Sequence, residues 1–173
     1  ELYVKDTMAA PASAAPVILK TSEEGQGLRF GTANGAITSS RLTGSRGSGA
    51  IVQRGETLSI HLDGTIAAEV RNPEFVVQLR DGRGYVLYGT PTDPADLRIE
   101  RTASGARVSA SVEIVANLGP GDYSFSLGLV DRHGHSVATV LDKLVAALQF
   151  SVAPDPRATF HGPVDLQGRW RRP

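Results

Sequence analysis

The segment 118–131 restricts the fold more than any other part of the chain. It begins with a Gly-Pro-Gly turn and continues as a strand in which Tyr123, Phe125, Leu127 and Leu129 alternate with small or polar residues. A period of two is typical of an antiparallel strand with one buried face. A tyrosine directly after such a turn, at the start of a late strand, is the sequence form of the tyrosine corner of Greek-key β-sandwiches. The segment therefore predicts a sandwich of two β-sheets.

The rest of the chain contains further short runs of alternating apolar residues, separated by turn signals about every ten residues. Two of them, 75–80 and 85–88, flank a glycine-containing connection of hairpin length. The segment 137–148 fits either a short helix or two strands around Asp142-Lys143. The remaining predicted strands are 36–42, 58–62, 66–70, 108–114 and 147–152. About eight short strands with little helix predict an all-β antiparallel sandwich of immunoglobulin-like or jelly-roll type.

Composition and charge exclude several classes of protein. The 173 residues suit one domain, and 18 basic side chains balance 18 acidic ones, so no overall field attracts nucleic acid. The absence of cysteine excludes disulfides, thiolate metal sites and a cysteine nucleophile. No run of apolar residues reaches the ~18 that a membrane-spanning helix needs. We therefore expect a soluble domain with no nucleic-acid partner.

Residue composition divides the chain into an N-terminal linker, a folded domain and a tail. Residues 1–27 are of low complexity and have little to bury, which is typical of a linker. Residues 28–173 carry the predicted strands, and their last part, 157–173, is expected to be a tail detached from the sandwich. Because the chain starts without methionine, we expect it to be a fragment of a longer protein. The lone tryptophan, Trp170, is expected to anchor the tail, and stacking on a ligand is the alternative.

No catalytic frame is recognisable in the sequence. The Gly-x-Ser-x-Gly elbow of serine hydrolases and the phosphate loop of ATPases are both absent. A glycosidase needs two carboxylates in one cleft, and Glu113 is the only acid predicted on a strand face near other polar residues. We therefore predict no catalytic residues, no cofactor and no enzyme activity for this domain.

His133 and His135 lie two residues apart in one turn, close to Asp131. Imidazole and carboxylate groups together suit zinc or a similar divalent ion. A solvated turn contains the same types of residue, and we favour that interpretation, so no metal site is predicted. Binding of an ion by the two histidines stays open at this point.

Polar side chains at alternate positions of the strands form a candidate binding face. Amide, guanidinium and hydroxyl groups hydrogen-bond to sugar hydroxyls, and an aromatic ring covers the apolar face of a pyranose. Any antiparallel sheet with one wet face carries such residues, so an ordinary solvated surface is the alternative. The predicted carbohydrate-binding residues are His61, Gln78, Arg80, Ser124 and Ser126, with Tyr85 and Tyr88 beside them.

Six short motifs occur in an order that points to a known family. They are 29–31 (Arg-Phe-Gly) with 35–37 (Gly-Ala-Ile), 54–60 (Arg-Gly-Glu-Thr-Leu-Ser-Ile), 75–90, 118–123 (Leu-Gly-Pro-Gly-Asp-Tyr), 147–152 and 161–170 (beginning His-Gly-Pro-Val-Asp-Leu). From residue 28 onward the chain resembles the C-terminal domain of Wzt proteins, the nucleotide-binding subunits of ABC transporters that export O-antigen polysaccharide.

The resemblance implies a non-catalytic carbohydrate-binding module that recognises the end of the polysaccharide, often a chemically capped non-reducing terminus. It also implies an ATPase domain ahead of the linker, a transporter membrane subunit as partner, and a location at the cytoplasmic face of the inner membrane. Homodimers that exchange terminal strands are implied as well. A structural or protein-interaction β-sandwich that dimerises without binding glycan is the alternative.

Overall fold

Strands make up almost all of the regular structure in the computed structural model, which describes residues 28–46, 51–102, 104–134, 136–169 and 171–172. These residues form ten strands and one turn of 3-10 helix, Pro94–Asp96. The strands are β1 Arg29–Phe30, β2 Gly35–Gly44, β3 Ile51–Val52, β4 Thr57–Ala67, β5 Pro73–Asp81, β6 Val86–Pro91, β7 Arg98–Thr102, β8 Gly105–Val115, β9 Gly121–Arg132 and β10 Ala138–Val152.

The strands form two sheets that face each other across one core. One sheet has six strands, in the order β1-β10-β9-β5-β6, with β3 pairing in parallel with the end of β10. The other sheet has four antiparallel strands in the order β2-β4-β8-β7. The prediction of an all-β sandwich with little helix is therefore confirmed.

The alternation in the sequence places one apolar face of each sheet in this core. Phe125, Leu127 and Leu129 of β9 are completely buried, and Phe75 of β5 lies opposite Leu129. The facing strand β4 contributes alternate apolar residues in the same way. Burial of one such side chain contributes about 2 kcal/mol to stability, so the inner faces hold the two layers together.

Tyr123 forms the predicted tyrosine corner. Its hydroxyl donates to the carbonyl oxygen of Gly119 at 2.9 Å, and its ring stacks on that of Phe150. Burial raises the pKa of the Tyr123 hydroxyl, because a phenolate would lose its hydration there, and the carboxylate of Asp81 raises this pKa further. The corner therefore fixes the start of β9 to the turn that precedes it.

The C-terminal tail is docked on the sandwich, which corrects the expectation of a detached segment. The amide of Gly119 donates to the carbonyl oxygen of Pro163 at 3.1 Å. The amide of Asp165 donates to the carbonyl oxygen of Asn117 at 2.8 Å. Packing is so close that a Cβ on Gly119 would lie 2.4 Å from the carbonyl oxygen of Gly162. Trp170, which was expected to anchor the tail, lies outside the described residues.

Strand β10 resolves the ambiguous segment 137–148, which is neither a helix nor two strands. Its pairing with β9 is interrupted at Leu141, near its start, and again over 145–147, and β10 contains extra residues at both places. At the first interruption the buried carboxylate of Asp142 accepts hydrogen bonds from Arg29 Nε at 2.9 Å and from the amide of Ile37 at 2.7 Å. This carboxylate connects β1 and β10 of one sheet to β2 of the other.

The predicted strands 58–62 and 66–70 form largely one strand, β4, which runs through Asp63 and Gly64 without a break. A Cβ on Gly64 would lie 2.9 Å from the carbonyl oxygen of Ala36 on the neighbouring strand. The glycine therefore marks a close approach of two backbones rather than a turn.

Candidate functional site

The predicted binding residues lie on both outer faces of the sandwich rather than on one. His61 is in β4 of the four-stranded sheet. On the six-stranded sheet, the register pairs Gln78 of β5 with Ser126 of β9, and Arg80 with Ser124. The core separates His61 from these four residues, so His61 does not belong to the same surface.

Arg80 crosses from β5 towards β9 and donates to three neutral acceptors. Its Nε donates to Ser126 Oγ at 3.1 Å and its Nη2 to Gln78 Oε1 at 3.2 Å. Its Nη1 donates to the carbonyl oxygen of Gly84 at 2.8 Å. These bonds hold the half-buried guanidinium in one orientation on the outer face of the sheet.

Ser126 is buried under this network, whereas the alternation of β9 predicted an open position. The residue is 1% exposed, and its Oγ also accepts from the amide of Ala146 at 3.1 Å. Ala146 lies in the second interruption of β10 and has a φ of 53°. A left-handed backbone costs alanine about 1 kcal/mol. Arg80 and the bulged backbone of β10 thus meet over Ser126 and divide the outer face of β9 into two ends.

We call this outer face of β9, between β5 and β10, the β9 groove. Its larger end is a cavity of about 490 Å³ beside the β5–β6 turn. At this end Ser151 Oγ donates to Asp122 Oδ1 at 2.6 Å. The polar residues that line this end are Asp81, Asp122, Ser124, Gln149 and Ser151. Hydroxyl, amide and carboxylate groups therefore share one open cavity.

The smaller end of the β9 groove is a shallow depression of about 30 Å³. Gly128 lies at its centre, opposite Val76 on β5 and Lys143 on β10. Its lining also includes Gln78, Ser126, Leu127, Val130 and Val140. Its volume lies far below the roughly 300–1,000 Å³ of typical ligand sites, so only the larger end can hold a sugar ring.

Sequence reasoning missed the β10 side of the groove. Gln149 is exposed and lies opposite Ser124 in the strand register. Its position between Leu148 and Phe150, both of which face the core, is the signal that would have identified it. Ala146 gave no such signal, because alanine does not indicate a left-handed backbone.

The two tyrosines lie at the β6 edge of the six-stranded sheet, and both are largely exposed. The amide of Tyr85 donates to Asp81 Oδ1 at 2.9 Å, which holds Tyr85 in the turn beside the larger end of the groove. Tyr88 pairs with Leu79, whose side chain is buried in the core. Paired residues share a face, so Tyr88 lies on the inner side of the edge strand, away from Gln78.

The turn that contains His133 is held by hydrogen bonds of its own. The carboxylate of Asp131 accepts from the amide of Asn72 at 2.8 Å, and His133 Nε2 lies 3.0 Å from Thr139 Oγ1. Within the described ranges, no group of three or more His, Asp or Glu side chains is placed to hold a metal ion. His135 lies outside these ranges.

Two facing sheets, antiparallel except for the pair of β3 and β10, and a tyrosine corner define a β-sandwich domain. The sequence matches the family model of the Wzt C-terminal domain over residues 26–166, and the chain belongs to this family. The family has a general role in O-antigen transport. No curated protein sequence matches the chain.

The structure is similar to a crystal structure described as that of the C-terminal domain of wzt. The TM-score is 0.70 at 16% sequence identity, and the match covers 83% of this chain and 87% of the other. This likeness supports the fold assignment. No helix in the described part of the chain is long and apolar enough to cross a membrane.

Proposed function

We propose that the β9 groove binds the end of an O-antigen polysaccharide without catalysing a reaction, and that this binding couples the glycan to export by an ABC transporter. Membership of the Wzt C-terminal domain family supports the transport role. The recognition step rests on the groove itself.

The larger end of the groove is the observation that carries the proposal. Its volume of about 490 Å³ falls within the roughly 300–1,000 Å³ of typical ligand sites. The amide of Gln149 and the hydroxyl of Ser124 donate and accept hydrogen bonds, and the carboxylate of Asp122 accepts them. Sugar hydroxyls need this mixture of donors and acceptors. Tyr85 belongs to the turn whose residues Asp81, Gly82 and Gly84 line the cavity, and its exposed ring would supply a surface for the apolar face of a pyranose.

The proposal includes the partners that the family resemblance implies. Residues 1–27 would link the sandwich to an ATPase domain, which acts with a membrane subunit at the cytoplasmic face of the inner membrane. The sandwich would form homodimers. The tail contacts at Gly119 and Asn117 support exchange of tails between two copies, because a partner's tail would make the same hydrogen bonds.

Calorimetric titration of the 173-residue chain with the O-polysaccharide of the strain that encodes it tests the proposal. We expect Gln149→Ala to weaken binding about fivefold, since one lost hydrogen bond costs about 1 kcal/mol. His61→Ala is the matched control, because His61 is also exposed but lies on the opposite sheet. Absence of binding by the folded chain would reject the proposal.

A protein-interaction module is the second candidate, and the β6 edge favours it. Tyr85, Val86 and Tyr88 are exposed there, and β6 carries no charged residue. Edge strands without charge are open to pairing with another chain. A stable dimer in light scattering, together with no binding to the polysaccharide, would favour this candidate over glycan recognition.

A further inference from the structure

The second half of β8 has one open edge. Strand β7 pairs with β8 only over 105–109, and among the described residues no strand pairs with 110–115 on that side. The backbone groups of successive residues in a strand point to opposite sides, and those of Ala116 bond to the segment that leads into β4. The N–H and C=O groups of Ser111 and Glu113 therefore point to the open edge.

A cavity of about 260 Å³ lies between the two sheets beside this edge. Phe75 and Val77, both buried, line it from the core side, and Val112 of β8 lines it while only half-buried. Asp93 and Asp96 are exposed at its rim. The cavity thus suits one large apolar side chain that is accompanied by basic residues.

The tail alternates like a strand, although most of it is exposed. Residues 164–171 read Val-Asp-Leu-Gln-Gly-Arg-Trp-Arg, with an apolar or small residue at every second position. Val164 packs against the core, whereas Leu166, the next residue of the apolar row, is 88% exposed. Such alternation is typical of a strand with one buried face, and Leu166 has no such burial.

The register of the docked part of the tail leads along the open edge. Val164 pairs with Leu118 in antiparallel orientation. Extension of this register by six residues sets Trp170 opposite Val112. Residues that lie opposite each other share a face of the sheet, and Val112 lines the cavity. The same register would therefore direct the indole of Trp170 into the cavity.

The charges along the edge match this register. Arg169 would lie opposite Glu113, and both are exposed on the outer side of the alternation. The residues that follow Trp170 are two further arginines, and the cavity that it would enter carries Asp93 and Asp96 at its rim. Opposite charges in cross-strand pairs stabilise a sheet.

Gln167 is the residue at which the tail leaves the edge. Its φ is 56°, and its amide donates to Asp165 Oδ1 at 2.8 Å. A left-handed backbone costs a residue of this type about 1 kcal/mol, and an extended Gln167 would not have this cost. One turn thus separates the exposed position of the tail from the open edge of β8.

We propose that residues 166–172 close the open edge as a further strand, which pairs with β8 and places the indole of Trp170 in the cavity between the sheets. The strand would bond to the backbone groups of Ser111 and Glu113 and would cover the half-buried Val112. This inference does not depend on the β9 groove or on glycan binding. Exchange of tails between two copies would leave the register unchanged.

Fluorescence tests the inference, because Trp170 is the only tryptophan of the chain. We expect the native 173-residue chain to emit at a shorter wavelength than the urea-unfolded chain, since the indole is removed from water. Acrylamide should quench the native emission severalfold less. Emission and quenching equal to those of the unfolded chain would overturn the inference.

A variant that fills the cavity tests the position of the indole. Ala110 is half-buried and lines the cavity, so Ala110→Phe should displace the indole and shift the emission towards that of the unfolded chain. Ala68→Phe makes the same change at an exposed position outside the cavity and should leave the emission as in the wild type. Unchanged emission from a folded Ala110→Phe variant would overturn the placement.

A charge exchange tests the register and needs no change in the core. Arg169→Glu should increase quenching, because two carboxylates would then face each other, and the double variant Arg169→Glu with Glu113→Arg should restore the wild-type value. Arg83→Glu, at an exposed position in the β5–β6 turn, makes the same change of charge and should have no effect. Failure of the double variant to restore protection would overturn the register, also if Ala110→Phe does not fold.

Discussion

Arg54 Nη1 donates to Asp165 Oδ2 at 3.0 Å and so ties the C-terminal tail to the turn before β4. The same guanidinium donates to Asp155 and lies over the ring of Phe160. These contacts join the motifs 54–60 and 161–170, which lie far apart in the sequence. They hold the tail on the sandwich and take no part in the β9 groove.

Removal of the charge on Asp165 should loosen this tail. Asp165→Asn is expected to lower the free energy of unfolding by about 1 kcal/mol, because a partly buried ion pair with Arg54 is lost. Limited proteolysis should then cut the tail faster than in the wild type. Asp63→Asn, an exposed carboxylate on β4, should change neither quantity. Unchanged proteolysis of Asp165→Asn would contradict the role of this pair.

The tyrosine corner predicts an alkaline loss of stability. Because burial raises the folded-state pKa of Tyr123 above 10.0, the unfolded chain releases this proton first as the pH rises. The contribution of Tyr123 is therefore complete below about pH 10 and is lost as the pH rises through the folded-state pKa. Tyr123→Phe should lower the free energy of unfolding by about 1 kcal/mol at neutral pH, where the hydroxyl still donates to Gly119.

Urea denaturation across this pH range checks the prediction. The wild type should lose stability above pH 10, and Tyr123→Phe should lose less. A Tyr85→Phe variant serves as the control, since Tyr85 is 68% exposed. Equal alkaline losses in the wild type and in Tyr123→Phe would contradict the assignment of the effect to Tyr123.

The sequence predicted most of the architecture because the core strands alternate strictly. Strand β9 and the hairpin of β5 and β6 were located by their apolar period and by their turns. Strand β7 was missed, since all of its residues are exposed and no alternation marks it. The helix alternative for 137–148 arose because extra residues in β10 break the period of two.

Asp142 is predicted to be one of the most sensitive polar positions of the fold. Asp142→Asn should lower the free energy of unfolding by about 2 kcal/mol, because the charged hydrogen bonds to Arg29 are lost at a carboxylate that is 3% exposed. Thermal denaturation measures this loss. A variant as stable as the wild type would show that the ion pair between Arg29 of β1 and Asp142 of β10 contributes little.

The backbone of Ala146 gives a prediction of the opposite sign. Ala146→Gly should raise the free energy of unfolding by about 0.5–1 kcal/mol, since glycine adopts a φ of 53° without strain. Ala147→Gly, in the same part of β10, should lower it, because glycine adds flexibility to the unfolded chain and removes a methyl group that packs against the core. Chemical denaturation of both variants checks this pair, and a loss of stability in Ala146→Gly would show that the site is not strained.

Less of the candidate site than of the fold could be predicted. The alternation correctly placed Gln78, Arg80 and Ser124 on an outer face. It could not tell the two outer faces apart, and so His61, which lies on the other sheet, was assigned to the same binding surface. It also could not show that the side chain of Arg80 would cover Ser126. Such features depend on strand order and on side-chain hydrogen bonds, which a period of two does not encode.

Nuclear magnetic resonance tests the central claim, that the β9 groove binds the polysaccharide, most directly. Amide shifts of the labelled chain would be followed while the O-polysaccharide of the encoding strain is added. We predict the largest changes at Gln78, Ser124, Ala146 and Gln149, with His61 and Ser111 on the other sheet unaffected. Changes confined to His61, Ser111 and their neighbours, or no changes at all, would contradict the account.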